Sequence, residues 1–146
     1  MAYRLFQEQL SFGQAWEIKA QELIKQLKDV EVIEVQTSDN YRTMHYDFRT
    51  SDDMTYEVKA DRVCATTGNF FIEYESFGKL SGISVTKAKK NILTDETTYY
   101  VIPTKKLKEL IKNNNYRMSI VKYSNNKGTL VPRTDILEHA LTYACV

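Results

Sequence analysis

From Ser11 onward the apolar residues Phe12, Ala15, Trp16, Ala20, Leu23, Ile24 and Leu27 recur at three-to-four-residue intervals. That spacing predicts an amphipathic helix over residues 12–28, with Ser11 as its cap. The period then changes. Residues 30–36 alternate Val or Ile with acids and read as a strand, closed by the turn Ser38-Asp39-Asn40. Residues 41–50 and 55–61 are two more strand-like segments, and Ser51-Asp52-Asp53-Met54 between them predicts a hairpin. Thr66-Thr67-Gly68-Asn69 marks a turn, after which residues 69–75 alternate again. Further on, a short basic helix is expected from Ser84 or Thr86 through Ile92, then a strand at 97–102 and a helix at 105–112 capped by Thr104 and ended by Asn113-Asn114-Asn115. A strand at 116–123, a turn at 124–128, a short strand at 129–131 and a helix after Arg133 complete the order α-β-β-β-β-α-β-α-β-β-α. This order predicts an α/β (mixed α+β) fold, a central mixed β-sheet flanked by helices.

With 146 residues, five Gly and two Pro, and no repeat or Gly/Pro/Ser-rich linker, the pattern belongs to a single domain over 1–146. Apolar runs such as Tyr99-Tyr100-Val101-Ile102-Pro103 stop far short of the ~20 residues of a membrane span, so no membrane partner is expected. Arg4, Gln7, Glu8 and Gln9 occupy the place of a signal-peptide core, which predicts an intracellular, cytoplasmic protein. Cys64 and Cys145 are far apart, which argues against a disulfide framework or a cysteine-rich zinc module.

Charge changes the picture more than its total of +1 suggests. Residues 1–78 hold 8 Lys/Arg against 14 Asp/Glu, a net of −6, whereas residues 79–122 hold 10 against 3, a net of +7. Carboxylates that gather cations beside lysines that face a polyanion would produce such segregation.

Two features of the strand-like segments point to chemistry. In Tyr56-Glu57-Val58-Lys59-Ala60 the two-residue period throws Glu57 and Lys59 onto one face, with Tyr56, Val58 and Ala60 on the other. Ten positions earlier Asp47 interrupts Met44-His45-Tyr46-Asp47-Phe48, where an acid is disfavoured in a strand. A four-residue hairpin loop would pair Phe48 with Glu57 and turn Asp47 away, whereas a three-residue loop or a bulge would bring Asp47 beside Glu57. Asp53 shares strand parity with Glu57 but falls on the turn, where Asp is ordinary.

An acid followed about ten residues later by Glu-x-Lys on the adjacent strand resembles the PD-(D/E)XK nuclease superfamily, and the preceding helix and following elements suit its restriction-endonuclease-like αβββαβ core. The likeness covers roughly residues 12–138, with Tyr46 where the family has its proline. Tyr99-Tyr100-Val101-Ile102-Pro103-Thr104 running into residues 105–111, and Gly128-Thr129-Leu130-Val131-Pro132, resemble the distal half of such nucleases, and the segment 76–90 resembles the one that follows the catalytic strands in small phage-type members, whose location would be the host cytoplasm.

The resemblance implies a Mg²⁺-dependent deoxyribonuclease, with Mn²⁺ as substitute. Asp47 and Glu57 would be metal ligands, assisted by the backbone carbonyl of Val58, because hard oxygen donors suit Mg²⁺. Lys59 would orient or deprotonate the attacking water and offset charge on the pentacovalent phosphate. A helical acid is also expected to join the site; Glu17 and Glu22 are the candidates, and Glu17, beside Trp16 on the buried face, is preferred. His45 shares parity with Asp47, while His139 has no catalytic context.

The segment 76–90 is the expected DNA contact. Lys79, Lys87, Lys89 and Lys90 supply charge, and the hydroxyls of Ser81, Ser84 and Thr86 with nearby N–H groups are expected to bond phosphate oxygens. No base-reading motif is visible, so cleavage directed by branched structure or ends, or nonspecific nicking, is expected over sequence-specific cutting. The small size favours a homodimer for paired cuts. Two other readings stand beside this one: a catalytically inactive nucleic-acid-binding module of the same fold, and an α/β interaction domain whose ten tyrosines line a protein interface.

Overall fold

The computed structural model describes residues 2–37, 43–122 and 125–145, with side chains from Ser11 onward. The expected turn at Ser38-Asp39-Asn40, the start of the segment at 41–50, and Tyr123 and Ser124 lie outside the described residues.

Helix α1 runs over Ala2–Lys28, so it starts well before the expected residue 12 and Ser11 lies inside it. Residues 2–10 are mostly good helix formers and contain no Gly or Pro to stop the helix short. Trp16, Ala20 and Ile24 recur at four-residue spacing and are buried against Phe48, Tyr56, Ile92 and Tyr99. Their partners belong to a six-stranded sheet.

The first strands of that sheet, β1 (Val32–Val35), β2 (Phe48–Thr50) and β3 (Thr55–Ala60), form an antiparallel meander. Strand β6 (Lys90–Thr94) then joins β3 in parallel, and β7 (Thr98–Pro103) and β10 (Leu141–Ala144) continue antiparallel. The opposite face of the sheet covers a second core of Leu93, Tyr100 and Ile102 with Phe70, Ile72, Leu107, Val131 and Ile136. Much of this core comes from a four-stranded sheet, order β5-β4-β9-β8, built from β4 (Asn69–Ser76), β5 (Lys79–Leu80), β8 (Met118–Val121) and β9 (Asn126–Pro132). The chain is thus a mixed α/β fold whose six-stranded mixed sheet carries helix α1 on one face and the smaller sheet on the other.

Four further expectations are corrected. The basic helix through Ile92 is absent: a 3₁₀ turn at Gly82–Ser84 leads through an irregular stretch into β6. Asn91, Ile92, Leu93 and Thr94 are buried between β3 and β7, and the two-sided pairing outweighs the helix propensity of the lysines and alanine before them. The turn at 66–69 contains a one-turn helix, α2 (Cys64–Thr67), closed by Gly68 at φ 76°. Thr104 begins helix α3 (Thr104–Asn113) but does not cap it with its side chain; its hydroxyl accepts from Asn91 Nδ2 at 2.7 Å. The terminal helix α4 is short, Arg133–Leu137, and the chain returns as β10 against β7.

No helix among the described residues is long and apolar enough to cross a membrane, because even the 27 residues of α1 carry a polar face.

Candidate active site

The β2–β3 hairpin settles which residues meet. Phe48 pairs with Tyr56 and Arg49 with Thr55, leaving the three-residue loop Ser51-Asp52-Asp53. The Asp53 N–H donates to the Thr50 carbonyl at 2.9 Å, Asp53 sits at φ 62°, and the Thr50 N–H closes on the Met54 carbonyl at 3.0 Å. A tight turn followed by one left-handed residue is the usual build of such a loop. The Asp53 carboxylate faces Arg49 at 3.2 Å on the exposed turn, away from the cleft described next.

Asp47 occupies a bend immediately before β2 and not the interior of a strand. Its N–H donates to the Tyr56 carbonyl at 2.8 Å, and its Oδ2 accepts from the Val58 N–H at 2.7 Å. The carboxylate is therefore fastened to β3 at the residue between Glu57 and Lys59. Tyr56, Val58 and Ala60 pack toward α1, as the alternation predicts, while Glu57 and Lys59 line a cleft of about 400 Å³ together with Asp47. Across the parallel pairing Glu57 lies beside Asn91 and Lys59 beside Leu93, both of which also line the cleft.

The far wall comes from β4 and the 3₁₀ turn. Glu73 contributes a further carboxylate, which the sequence reading did not place in the site; its Oε2 accepts from Ser81 Oγ at 2.8 Å. Gly82, at φ 51°, packs so tightly that an added Cβ would lie 2.3 Å from the Glu73 carbonyl oxygen. The signal for this wall in the sequence was Ser81-Gly82 directly after a strand, too common a pair to single out Glu73.

Electrostatics mark the same place. Burial pushes the Asp47 carboxyl up to about 6, even though the Val58 N–H favours its ionised form. Glu17, on the α1 turn that carries Trp16, is pushed up to about 7, first by burial and then by repulsion from Asp47. Two carboxyls from separate elements thus resist ionising together near neutral pH, and a cation between or beside them would remove the penalty. Lys59 is exposed and lines the cleft beside Glu57.

No group of three His, Cys, Asp or Glu side chains among the described residues is arranged to hold a metal ion. The hard oxygens of Asp47 and Glu57, with the Val58 carbonyl, are nonetheless a suitable set for Mg²⁺, which commonly takes one or two protein carboxylates and completes its shell with water and substrate phosphate.

The expected DNA-contact segment is arranged differently from its prediction. Lys79 lies in the short β5, Lys87 and Lys89 are exposed in the irregular stretch, and Lys90 opens β6. The hydroxyls are engaged inside the protein. Ser81 donates to Glu73, Ser84 to the Tyr74 carbonyl at 2.8 Å, and Thr86 to the His45 carbonyl at 3.3 Å. The His45 carbonyl also accepts from the Lys87 N–H at 2.8 Å, which ties this stretch to the bend bearing Asp47. The hydroxyls therefore hold the segment against the protein, Ser81 at the cleft itself, while Lys79, Lys87 and Lys89 are exposed and Lys90 half-buried outside the cleft lining. No protein-family model matches the sequence, and no curated protein matches it.

Proposed function

We propose that the chain is a divalent-metal-dependent deoxyribonuclease that hydrolyses phosphodiester bonds, with structure-directed or nonspecific cutting favoured by the lack of a base-reading element. The observation that carries this reading is the Asp47 carboxylate bonded to the Val58 N–H, which sets it over Glu57-Val58-Lys59 at a cleft. Further support comes from the antiparallel β1–β2–β3 meander with β6 parallel to β3 and α1 on its back, the order of strands expected of a PD-(D/E)XK core. The connection from β3 to β6 departs from that core, because it holds the one-turn α2 and the β4–β5 hairpin in place of one longer helix.

Asp47 and Glu57 would hold Mg²⁺ or Mn²⁺ with the Val58 carbonyl. When bound, the metal supplies Lewis-acid stabilisation of the phosphate and lowers the pKa of water. Lys59, on the same face as Glu57, reaches into the cleft as a cation: it orients the attacking water and offsets charge that grows on the phosphate oxygens. Glu17, raised to about 7 by burial and by repulsion from Asp47, would carry less than a full negative charge near neutral pH and so tune the charge beside Asp47. The lysines at 79, 87, 89 and 90 draw the polyanion toward the cleft.

A second reading, a nucleic-acid-binding module without catalysis, uses the same exposed lysines Lys79, Lys87 and Lys89 and gives Asp47 and Glu57 no metal to hold. Incubation with plasmid, single-stranded, flap and four-way-junction DNA, with Mg²⁺, Mn²⁺ or EDTA, separates the two. Metal-dependent scission supports the nuclease, and binding without scission supports the module.

A further inference from the structure

Helix α3 turns Leu107 inward, with Leu110 and Ile111 partly buried against the same core, and leaves Lys105, Lys108 and Lys112 exposed on its other side. These three lysines, at spacings of three and four residues, share one helical face. Together with Lys89, Ala88 and Thr104 they line a groove of about 530 Å³ between the helix and the stretch that enters β6. Glu109 is the acid in this groove, and it is 3.6 Å from Lys106, which lies outside it. The Lys106–Glu109 pair does not involve Lys105, Lys108 or Lys112.

The groove is joined to the catalytic cleft through two residues. Asn91 lines the cleft, Thr104 lines the groove, and they share the 2.7 Å hydrogen bond from Asn91 Nδ2. The Thr104 N–H also donates to the Lys89 carbonyl at 3.0 Å, which holds the helix start against the lysine-bearing stretch.

We infer that this groove is a second DNA contact, in which Lys105, Lys108 and Lys112 hold the sugar–phosphate backbone of the duplex arm flanking the bond to be cut. The inference rests on the nuclease reading for its substrate, and on charge complementarity and continuity with the cleft for its place. From Lys105 to Lys112 the helix rises roughly 10 Å at ~1.5 Å per residue. One strand of B-DNA presents a phosphate about every 3.4 Å of axis, so that length offers charge to about three phosphates. Such contacts position the duplex without reading its bases.

The test is binding to duplexes of unrelated sequence across a salt series, with Ca²⁺ replacing Mg²⁺, for wild type, K105Q/K108Q/K112Q and K105R/K108R/K112R. Each phosphate contact steepens the fall of log affinity with log salt by ~0.9, so the Gln triple should flatten the slope by about 2–3 and the Arg triple should keep it. Because the three side chains are exposed, the melting temperatures of the variants should match wild type. An unchanged slope in the Gln triple of a protein that cuts DNA overturns the groove and leaves the active-site reading standing. A flattened slope in a protein that never cuts DNA supports the groove and removes the nuclease reading. Polyglutamate that binds as tightly as DNA, and loses affinity equally in the Gln triple, would assign the groove to an acidic protein and overturn the inference.

Discussion

Replacing Asp47 by Asn should stabilise the metal-free protein at neutral pH and leave it nearly unchanged in acid. Burial raises the Asp47 carboxyl from its ordinary 3.8 to about 6. The folded state therefore binds more protons than the unfolded chain between those values, and stability must fall as pH rises through them. At ~1.4 kcal/mol per pKa unit the ionised side chain costs the fold at most about 3 kcal/mol once the pH exceeds 6. Asn retains an oxygen to accept from the Val58 N–H but has no charge to bury. It also removes the repulsion that helps to hold Glu17 at about 7, so it flattens the upper part of the window as well. Urea unfolding in EDTA at intervals from about pH 4 to pH 8 measures this directly. The two proteins should be close at the acid end, with the Asn variant more stable by about 2–3 kcal/mol at the neutral end. Parallel curves with a constant gap would refute the claim that partial burial raises the Asp47 carboxyl.

Other consequences are equally open to measurement. Mg²⁺ or Mn²⁺ should raise the melting temperature of wild type, by up to about 2.7 kcal/mol of stabilisation at a hundredfold excess over Kd, and Asp47→Asn should remove most of the rise while Asp53→Asn keeps it. Gly82→Ala should cost about 2 kcal/mol or more in urea unfolding, since the position has φ 51° and the new methyl meets the Glu73 carbonyl oxygen at 2.3 Å. Asp52, held down to about 2 by Lys28 and Thr50, stabilises the fold above its ordinary 3.8 and loses that contribution as pH falls toward 2. The difference between wild type and Asp52→Asn should therefore vanish in strong acid, read by circular dichroism across that range.

How much of this was legible in the sequence depends on whether local pattern or distant pairing decides each element. The alternation at Tyr56-Glu57-Val58-Lys59-Ala60 is local, and the faces came out as the two-residue period requires. The partner of Glu57 was not local. It turned on whether the loop takes three or four residues, and the choice is made by Asp53 entering the left-handed region where a glycine would have announced it. The stretch Lys87-Ala88-Lys89-Lys90 carries helix formers, yet Asn91 to Thr94 are claimed by β3 and β7 on either side. The β10 segment, with Leu141 and Ala144 exposed, has no buried face to declare it and exists through pairing with β7. Glu73 was hidden for a similar reason: its place in the cleft depends on how the second sheet packs, while its neighbours Phe70 and Ile72 reveal only a strand.

The central claim is that Asp47, Glu57 and Lys59 form one metal-dependent phosphodiesterase site. Its most direct test is strand scission of plasmid and branched DNA by purified wild type, Glu57→Ala and Lys59→Ala, each with Mg²⁺, Mn²⁺ or EDTA, with folding confirmed by circular dichroism. Wild type should cut only when metal is present, and both folded variants should lose cleavage by at least about a hundredfold, the scale of a lost general base or charge stabiliser. Cutting by either folded variant at the wild-type rate, or a wild type that binds DNA and leaves it intact under every metal condition, would contradict the account.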